Sequence, residues 1–204
     1  MIKNKKLAIF DLDGVLIDSI PNMRYALKHT SSFLKLKLSF YKYKKYIGLP
    51  FEEIMKNMGV KKNIPLIKKK YIFFSKKNLK KIQIKKKNLK VLKRLKKNLK
   101  LAIFTSKDSK RTRAILSKYK LFDYIVTSDD VSKGKPHPNG LKKIIKFFKL
   151  KKSDVIYIGD SYYDYKCANN AKVMYCHALW GYHKLKNYKE IYKIKKMEEI
   201  LNLV

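Results

Sequence analysis

"LAIFDLDGVLIDS", residues 7–19, decides how the rest of the chain is read. Four apolar residues, Leu7 to Phe10, run into Asp11 and Asp13, which flank Leu12 and are followed at once by Gly14 and a second apolar run. The first four residues read as a buried strand. Strand side chains alternate, so carboxylates two positions apart leave toward the same side. Left unneutralised they repel one another, and one is driven to keep its proton. The pair therefore calls for a cation, a shared proton or full exposure to water.

Further apolar runs repeat the pattern. "LAIF" returns at 101–104, followed by "YIV" at 124–126, "VIYIG" at 155–159 and a weaker "KVMYC" at 172–176. Between them, lysine-rich stretches carry apolar residues at helical spacing, such as Leu89, Leu92, Leu95 and Leu99, or Leu141, Ile144, Ile145 and Phe148. Strands alternating with helices predict an α/β fold with a Rossmann-like, mainly parallel sheet. One interval breaks the rhythm: from Asp18 to about Ile84 no strand stands out. Helical patterns there are punctuated by Ser19-Ile20-Pro21, Gly48-Leu49-Pro50, Gly59 and Asn63-Ile64-Pro65, which are helix start and stop signals. The interval is too long for a loop, so residues 18–82 are expected to form a small all-helical cap, with residues 1–17 and 83–204 as the core.

The 204 residues are 46% hydrophobic, enough for a packed core, yet 51 Lys and Arg against 15 Asp and Glu give a formal charge of +36. Nucleic acid or an anionic membrane surface would attract such a chain. The kind of basic residue argues otherwise. Arg24, Arg94, Arg111 and Arg113 are the only arginines, whereas bidentate phosphate and base readout favours arginine. The lysines are spread along the whole chain among abundant Ile, Asn, Tyr and Phe, as in coding sequence rich in A and T. They read as a solvated coat, including the run Lys85 to Lys87, and no specific nucleic-acid partner is expected. Cys167 and Cys176 lack CxxC spacing, and the N-terminal apolar run is broken by two aspartates and has no cleavage site. A reduced, cytoplasmic protein without a membrane partner is the expectation, with monomer and homodimer both open.

Each strand ends in something reactive, at the edge where open α/β sheets bind ligands. The first yields Asp11 and Asp13, the second Thr105 and Ser106, and the fourth Asp160 and Asp164. "SKGKPHP", residues 132–138, places Lys135 ahead of a helix start. In this order the segments resemble the haloacid dehalogenase superfamily of phosphohydrolases over nearly the whole chain. "DLDGV" is similar to its DxD signature, Thr105 to its hydroxyl motif, the lysine of "KPHP" to its third motif and "GDSYYD" to its GDxxxD motif. The insert after the first motif resembles the cap of the branch holding phosphoglycolate phosphatases and β-phosphoglucomutases.

That resemblance implies a Mg²⁺-dependent phosphatase acting on a small phosphorylated metabolite. It makes Asp11 the nucleophile that forms an aspartyl-phosphate, and Asp13 the acid and base. Mg²⁺ would be held by the carboxylates of Asp11 and Asp160 and the main-chain carbonyl of Asp13. Gly14, Thr105, Ser106 and Lys135 would hold the phosphoryl group, and Asp164 would orient Lys135 or a metal-bound water. A sugar-phosphate mutase is the alternative, and a charge-driven nucleic-acid protein a third. Mutases of this group carry a cap histidine and arginine, at positions aligned with Met23 and Phe51, which weakens the mutase reading. The dehalogenase branch lacks the second aspartate that stands here as Asp13. His137 reads as a surface turn residue. Gly48 to Pro50 is either a specificity loop or a plain turn. Trp180 to Tyr182 has a packing role at least as readily as a contact role.

Overall fold

In the computed structural model, which describes residues 5–184 and 191–204, the sheet has six parallel strands in the order β3-β2-β1-β4-β5-β6. They are β1 (Leu7–Phe10), β2 (Lys100–Phe104), β3 (Tyr124–Val126), β4 (Val155–Gly159), β5 (Met174–Ala178) and β6 (Tyr192–Ile194). The expected α/β architecture is present, with two differences. The fifth strand begins at Met174 instead of Lys172, because Lys172 turns into the left-handed region (φ 56°) to end the preceding helix. The sixth, an edge strand of three residues, buries only Ile194 and so lacks the apolar run by which the others are read.

Alternation along each strand divides the core between the two faces of the sheet. Ala8, Phe10, Ile156 and Ile158 enter one cluster with Val91, Leu92 and Leu95 of α5 (Lys86–Leu95) and Ile115 and Leu116 of α6 (Ser109–Leu116). Leu7, Ile9, Val155 and Tyr157 enter the other, with Leu141, Ile144 and Ile145 of α7 (Asn139–Phe147) and Cys167, Ala168 and Ala171 of α8 (Tyr162–Ala171). A central strand buried on both faces must be apolar at every position, which is why β1 and β4 read as unbroken runs.

Between β1 and α5 lie α1 (Ile20–Phe33), α2 (Phe40–Lys45), α3 (Phe51–Asn57) and α4 (Ile64–Lys77), and no strand. Pro21 and Pro65 stand in the first turns of α1 and α4, where a missing N–H costs nothing. These helices own a separate apolar cluster that includes Leu27, Tyr43, Ile54, Met55, Ile67 and Tyr71. A buried polar pair ties α1 to α4: Asn22 Nδ2 donates to the Ser75 carbonyl at 2.8 Å, and Ser75 Oγ donates to Asn22 Oδ1 at 2.7 Å. Among the described residues, no helix is long and apolar enough to cross a membrane.

Candidate active site

The strand order reverses between β1 and β4, and the crevice beyond the carboxyl ends of these neighbours is where such a sheet offers a site. β1 stops at Phe10, so Asp11, Leu12 and Asp13 lie in the loop beyond it. The Asp11 N–H still reaches the Ile158 carbonyl at 2.8 Å, which holds the first carboxylate at the mouth of the crevice. Gly14 has φ +85°, and a Cβ there would strike the Asp160 carboxylate, so this turn strongly favours glycine.

Both aspartates are buried and line one cleft, and each meets its own ammonium. Lys135 Nζ lies 2.8 Å from Asp11 Oδ1 and 2.7 Å from Asp164 Oδ1. Burial works against the charge of Lys135, but these two carboxylates outweigh it and hold the ammonium above the ordinary lysine range. The Phe104 and Tyr157 rings stand below the ammonium, 5.1 and 5.6 Å away. On the other side, Lys107 Nζ sits 3.1 Å from Asp13 Oδ1, and Ser19 Oγ donates to the same oxygen at 2.5 Å. Burial lowers the pKa of Lys107, partly offset by Asp13.

Asp11, Asp160 and Asp164 are all buried, with ligand atoms within 4.8 Å of one another. Burial raises the Asp11 pKa to about 7; Lys135 pulls it down, while Asp164 and Asp13 push it up. Asp160 rises well above the carboxylate range from burial and from its neighbours Asp164 and Asp11, although the Tyr182 N–H donates to it at 2.5 Å. Asp164 goes down: burial opposes its charge, but Lys135 and hydrogen bonds from Ser161 and Tyr157 prevail. Three carboxylates share one ammonium. An all-oxygen cluster with negative charge left over fits a hard divalent cation, for which these donors are suited.

Asp164 reaches this cluster from the first turn of α8. Asp160 precedes α8, and Ser161 caps that helix in a reciprocal box: the Asp164 N–H donates to Ser161 Oγ at 3.1 Å, and the Ser161 N–H to Asp164 Oδ2 at 3.0 Å. The Tyr157 hydroxyl fixes the other carboxylate oxygen at 2.6 Å. Thr105 is buried in the cleft wall, its hydroxyl accepting from the Lys107 N–H at 3.2 Å. Ser106 Oγ donates to the Gly48 carbonyl at 2.7 Å, tying the end of β2 to the loop before α3. Gly48 to Pro50 thus does more than turn the chain. Met23 and Phe51 are buried in the roof of the cleft.

Three contributors escaped sequence reasoning, Ser19, Lys107 and Arg111, while Tyr182 lies in the stretch for which packing and contact roles were both open. Ser19 looked like a helix cap, yet its hydroxyl serves Asp13 and makes no cap bond. Tyr182, from the "WGY" stretch, accepts from the Ser19 N–H at 2.7 Å through its hydroxyl while its own N–H serves Asp160, and Trp180 Nε1 donates to the Val15 carbonyl at 2.9 Å. His137 lies half-buried in a turn, its N–H bonded to the Gly134 carbonyl at 2.9 Å.

A profile of the haloacid dehalogenase-like hydrolases matches residues 8–178. The phosphoglycolate phosphatase of Aquifex aeolicus is 27% identical over 98% of this chain and 96% of its own. Pyrophosphatase PpaX of Bacillus mycoides is 31% identical, over 51% of this chain and 51% of that protein, so the match spans about half of each. Among solved structures, a haloacid dehalogenase-like hydrolase from Streptococcus pneumoniae superposes with a TM-score of 0.84, at 24% identity over 98% of both chains. CbbY from Rhodobacter sphaeroides, solved with phosphate, gives 0.81 at 16% identity over 96% of both. These two likenesses concern the fold.

Proposed function

The chain belongs to the haloacid dehalogenase-like hydrolases, and from that membership we propose that it is a divalent-cation-dependent phosphatase working through an aspartyl-phosphate on Asp11. The observation that carries the reading is Lys135, held between Asp11 and Asp164 while Asp13 meets a separate ammonium on Lys107. The two carboxylates of the DxD pair thereby sit in different surroundings, as two different tasks require.

The Asp11 carboxylate attacks phosphorus as the ester P–O bond breaks, and Asp13 gives its proton to the departing alkoxide. Asp13 then takes a proton from water, whose oxygen attacks phosphorus, freeing Asp11 and inorganic phosphate. Lys135, the Thr105 hydroxyl, the Ser106 amide and the backbone at Gly14 face charge that builds on the phosphoryl oxygens. A cation such as Mg²⁺, held by Asp11, Asp160 and the Asp13 carbonyl with Asp164 close by, would neutralise those oxygens when bound. Residues 18–82 would act as a cap domain over the cleft, latched by the Ser106 to Gly48 bond. The relatives named as phosphoglycolate phosphatase and pyrophosphatase support a small phosphorylated substrate. Met23 and Phe51 offer nothing that would prepare a sugar hydroxyl to recover the phosphoryl group, so water is the acceptor. The test follows phosphate release and isomerisation together, from glucose 1-phosphate with a catalytic amount of the bisphosphate and from small phosphorylated acids. Release without isomerisation is expected, and isomerisation faster than release would replace this reading by the mutase.

A further inference from the structure

We infer that Tyr182 is a positioning residue for Asp13: it holds Ser19 off the helix that Ser19 begins, so that the Ser19 hydroxyl serves the carboxylate that exchanges the proton. This rests on the phosphatase reading, in which Asp13 is the acid and base. Ser19 stands at the N-cap of α1 and is fully buried. The serines that cap α2 and α8, Ser39 and Ser161, have extended backbones, with ψ 123° and 161°, and each accepts an N–H from its own helix. Ser19 has ψ 1° and makes no such bond. Its hydroxyl donates to Asp13 Oδ1 at 2.5 Å, the same oxygen that Lys107 Nζ approaches to 3.1 Å, and the two together fix how that carboxylate is turned.

What keeps Ser19 in this setting comes from beyond β5. The Tyr182 hydroxyl accepts the Ser19 N–H at 2.7 Å and lies 3.3 Å from Ser19 Oγ, while its own proton can go to Asp18 Oδ1 at 3.1 Å or the Ile17 carbonyl at 3.3 Å. Burial and the charge of Asp13 push the pKa of this phenol up, so the hydroxyl keeps its proton. The other end of Tyr182 is fixed to the core. Its N–H donates to Asp160, a Cβ on the preceding Gly181 would strike Asp160, and Trp180 Nε1 donates to the Val15 carbonyl. Its side chain packs against the apolar cluster of the cap helices. Without the hydroxyl the buried Ser19 N–H loses its acceptor, and Ser19 gains by turning to the extended backbone of an ordinary cap, which takes its oxygen away from Asp13.

The test compares 2-phosphoglycolate, whose alkoxide must be protonated as it departs, with acetyl phosphate, whose acetate need not be. With the full chain and Mg²⁺, the kcat/KM of the first divided by that of the second reads the acid role of Asp13, because kcat/KM covers the steps up to phosphoryl transfer to Asp11. Tyr182→Phe, which keeps the ring and the N–H, should lower that ratio by about tenfold. Ser19→Ala should lower it at least as far, and the double variant should go no lower than Ser19→Ala, since Tyr182 acts through Ser19. A brace for the fold would slow both compounds alike, so a ratio unchanged in Tyr182→Phe, or losses that add in the double variant, would overturn the inference. Hydrogen exchange at the Ser19 N–H reads the same contact without turnover: Tyr182→Phe should speed it by about tenfold or more, and unchanged protection would also overturn the inference. Release of phosphate from neither compound by wild type would sink the phosphatase reading itself. Release from both, with the ratio unmoved by Tyr182→Phe, would sink only the Tyr182 role.

Discussion

In the proposed reaction Asp11 carries the chemistry, and its surroundings make claims that can be measured. Asp11→Asn should fold and lose essentially all turnover, because an amide cannot form the acyl phosphate; activity within about tenfold of wild type, only ~1.4 kcal/mol of barrier, would remove it from that role. Its acid–base behaviour yields a second prediction. In the cation-free protein Asp11 holds its proton up to about pH 7, whereas its ordinary value is 3.8. Between these limits the unfolded chain binds fewer protons, so stability falls as pH rises through that window. The depressed carboxyls of Asp164 and Asp108 have the opposite sign, but they act below about pH 4, as acid takes their stability away. A divalent cation binds the ionised cluster, so Mg²⁺ should raise the thermal midpoint over a chelator control more at pH 8 than at pH 5. Equal shifts at both pH values would contradict the assignment of Asp11 and Asp160 as its ligands.

The turn after β1 and the start of α8 position these groups, and each has a residue that cannot be exchanged freely. Gly14→Ala forces a methyl into the Asp160 carboxylate at a backbone angle that suits glycine. The fold should survive at a cost of about 1–2 kcal/mol for the left-handed conformation, while the Mg²⁺-dependent rise in thermal midpoint disappears. An undiminished rise would show that Gly14 does not shape the cation site. Ser161→Ala removes the acceptor for the Asp164 N–H, and about 1 kcal/mol of stability should go with it. It also frees Asp164 from the Ser161 hydroxyl at 2.6 Å, so Mg²⁺ affinity should fall with stability; denaturant titration and calorimetry check the two. Much of this framework was legible in the chain. The apolar runs ending in Asp11, Thr105 and Asp160 are strands because burial on both faces leaves no polar position; the capping box at "SYYD" emerged only with the structure. The edge strand β6 was not legible, since a strand of three residues with one buried position leaves no pattern.

Composition explains what else stayed hidden. Lys107 and Arg111 are among 51 basic residues, and nothing in spacing separates a buried ammonium facing Asp13 from one in the solvated coat. Asp13, the partner of Lys107, and Ser75, which Arg111 meets besides its near neighbour Asp108, are distant in sequence, so only the fold reveals these contacts. Lys135 could be read only through the likeness of "KPHP" to the family's third motif; taken alone it would pass for one more lysine of the coat. The coat itself predicts weak, unselective binding to DNA or RNA that collapses as salt rises, since it depends on counterion release. Selective binding that persists at about 0.2 M salt would point to a nucleic-acid function instead. The central claim is that phosphate passes through Asp11, and one experiment tests it most directly. Asp13→Asn protein, supplied with Mg²⁺ and acetyl phosphate, whose leaving group needs no proton, should load Asp11 and then stall for want of a base. Acid quenching followed by peptide mass spectrometry should find one phosphoryl group on the peptide containing Asp11. Phosphate release with that peptide unmodified, or the phosphoryl group on another residue, would contradict the account.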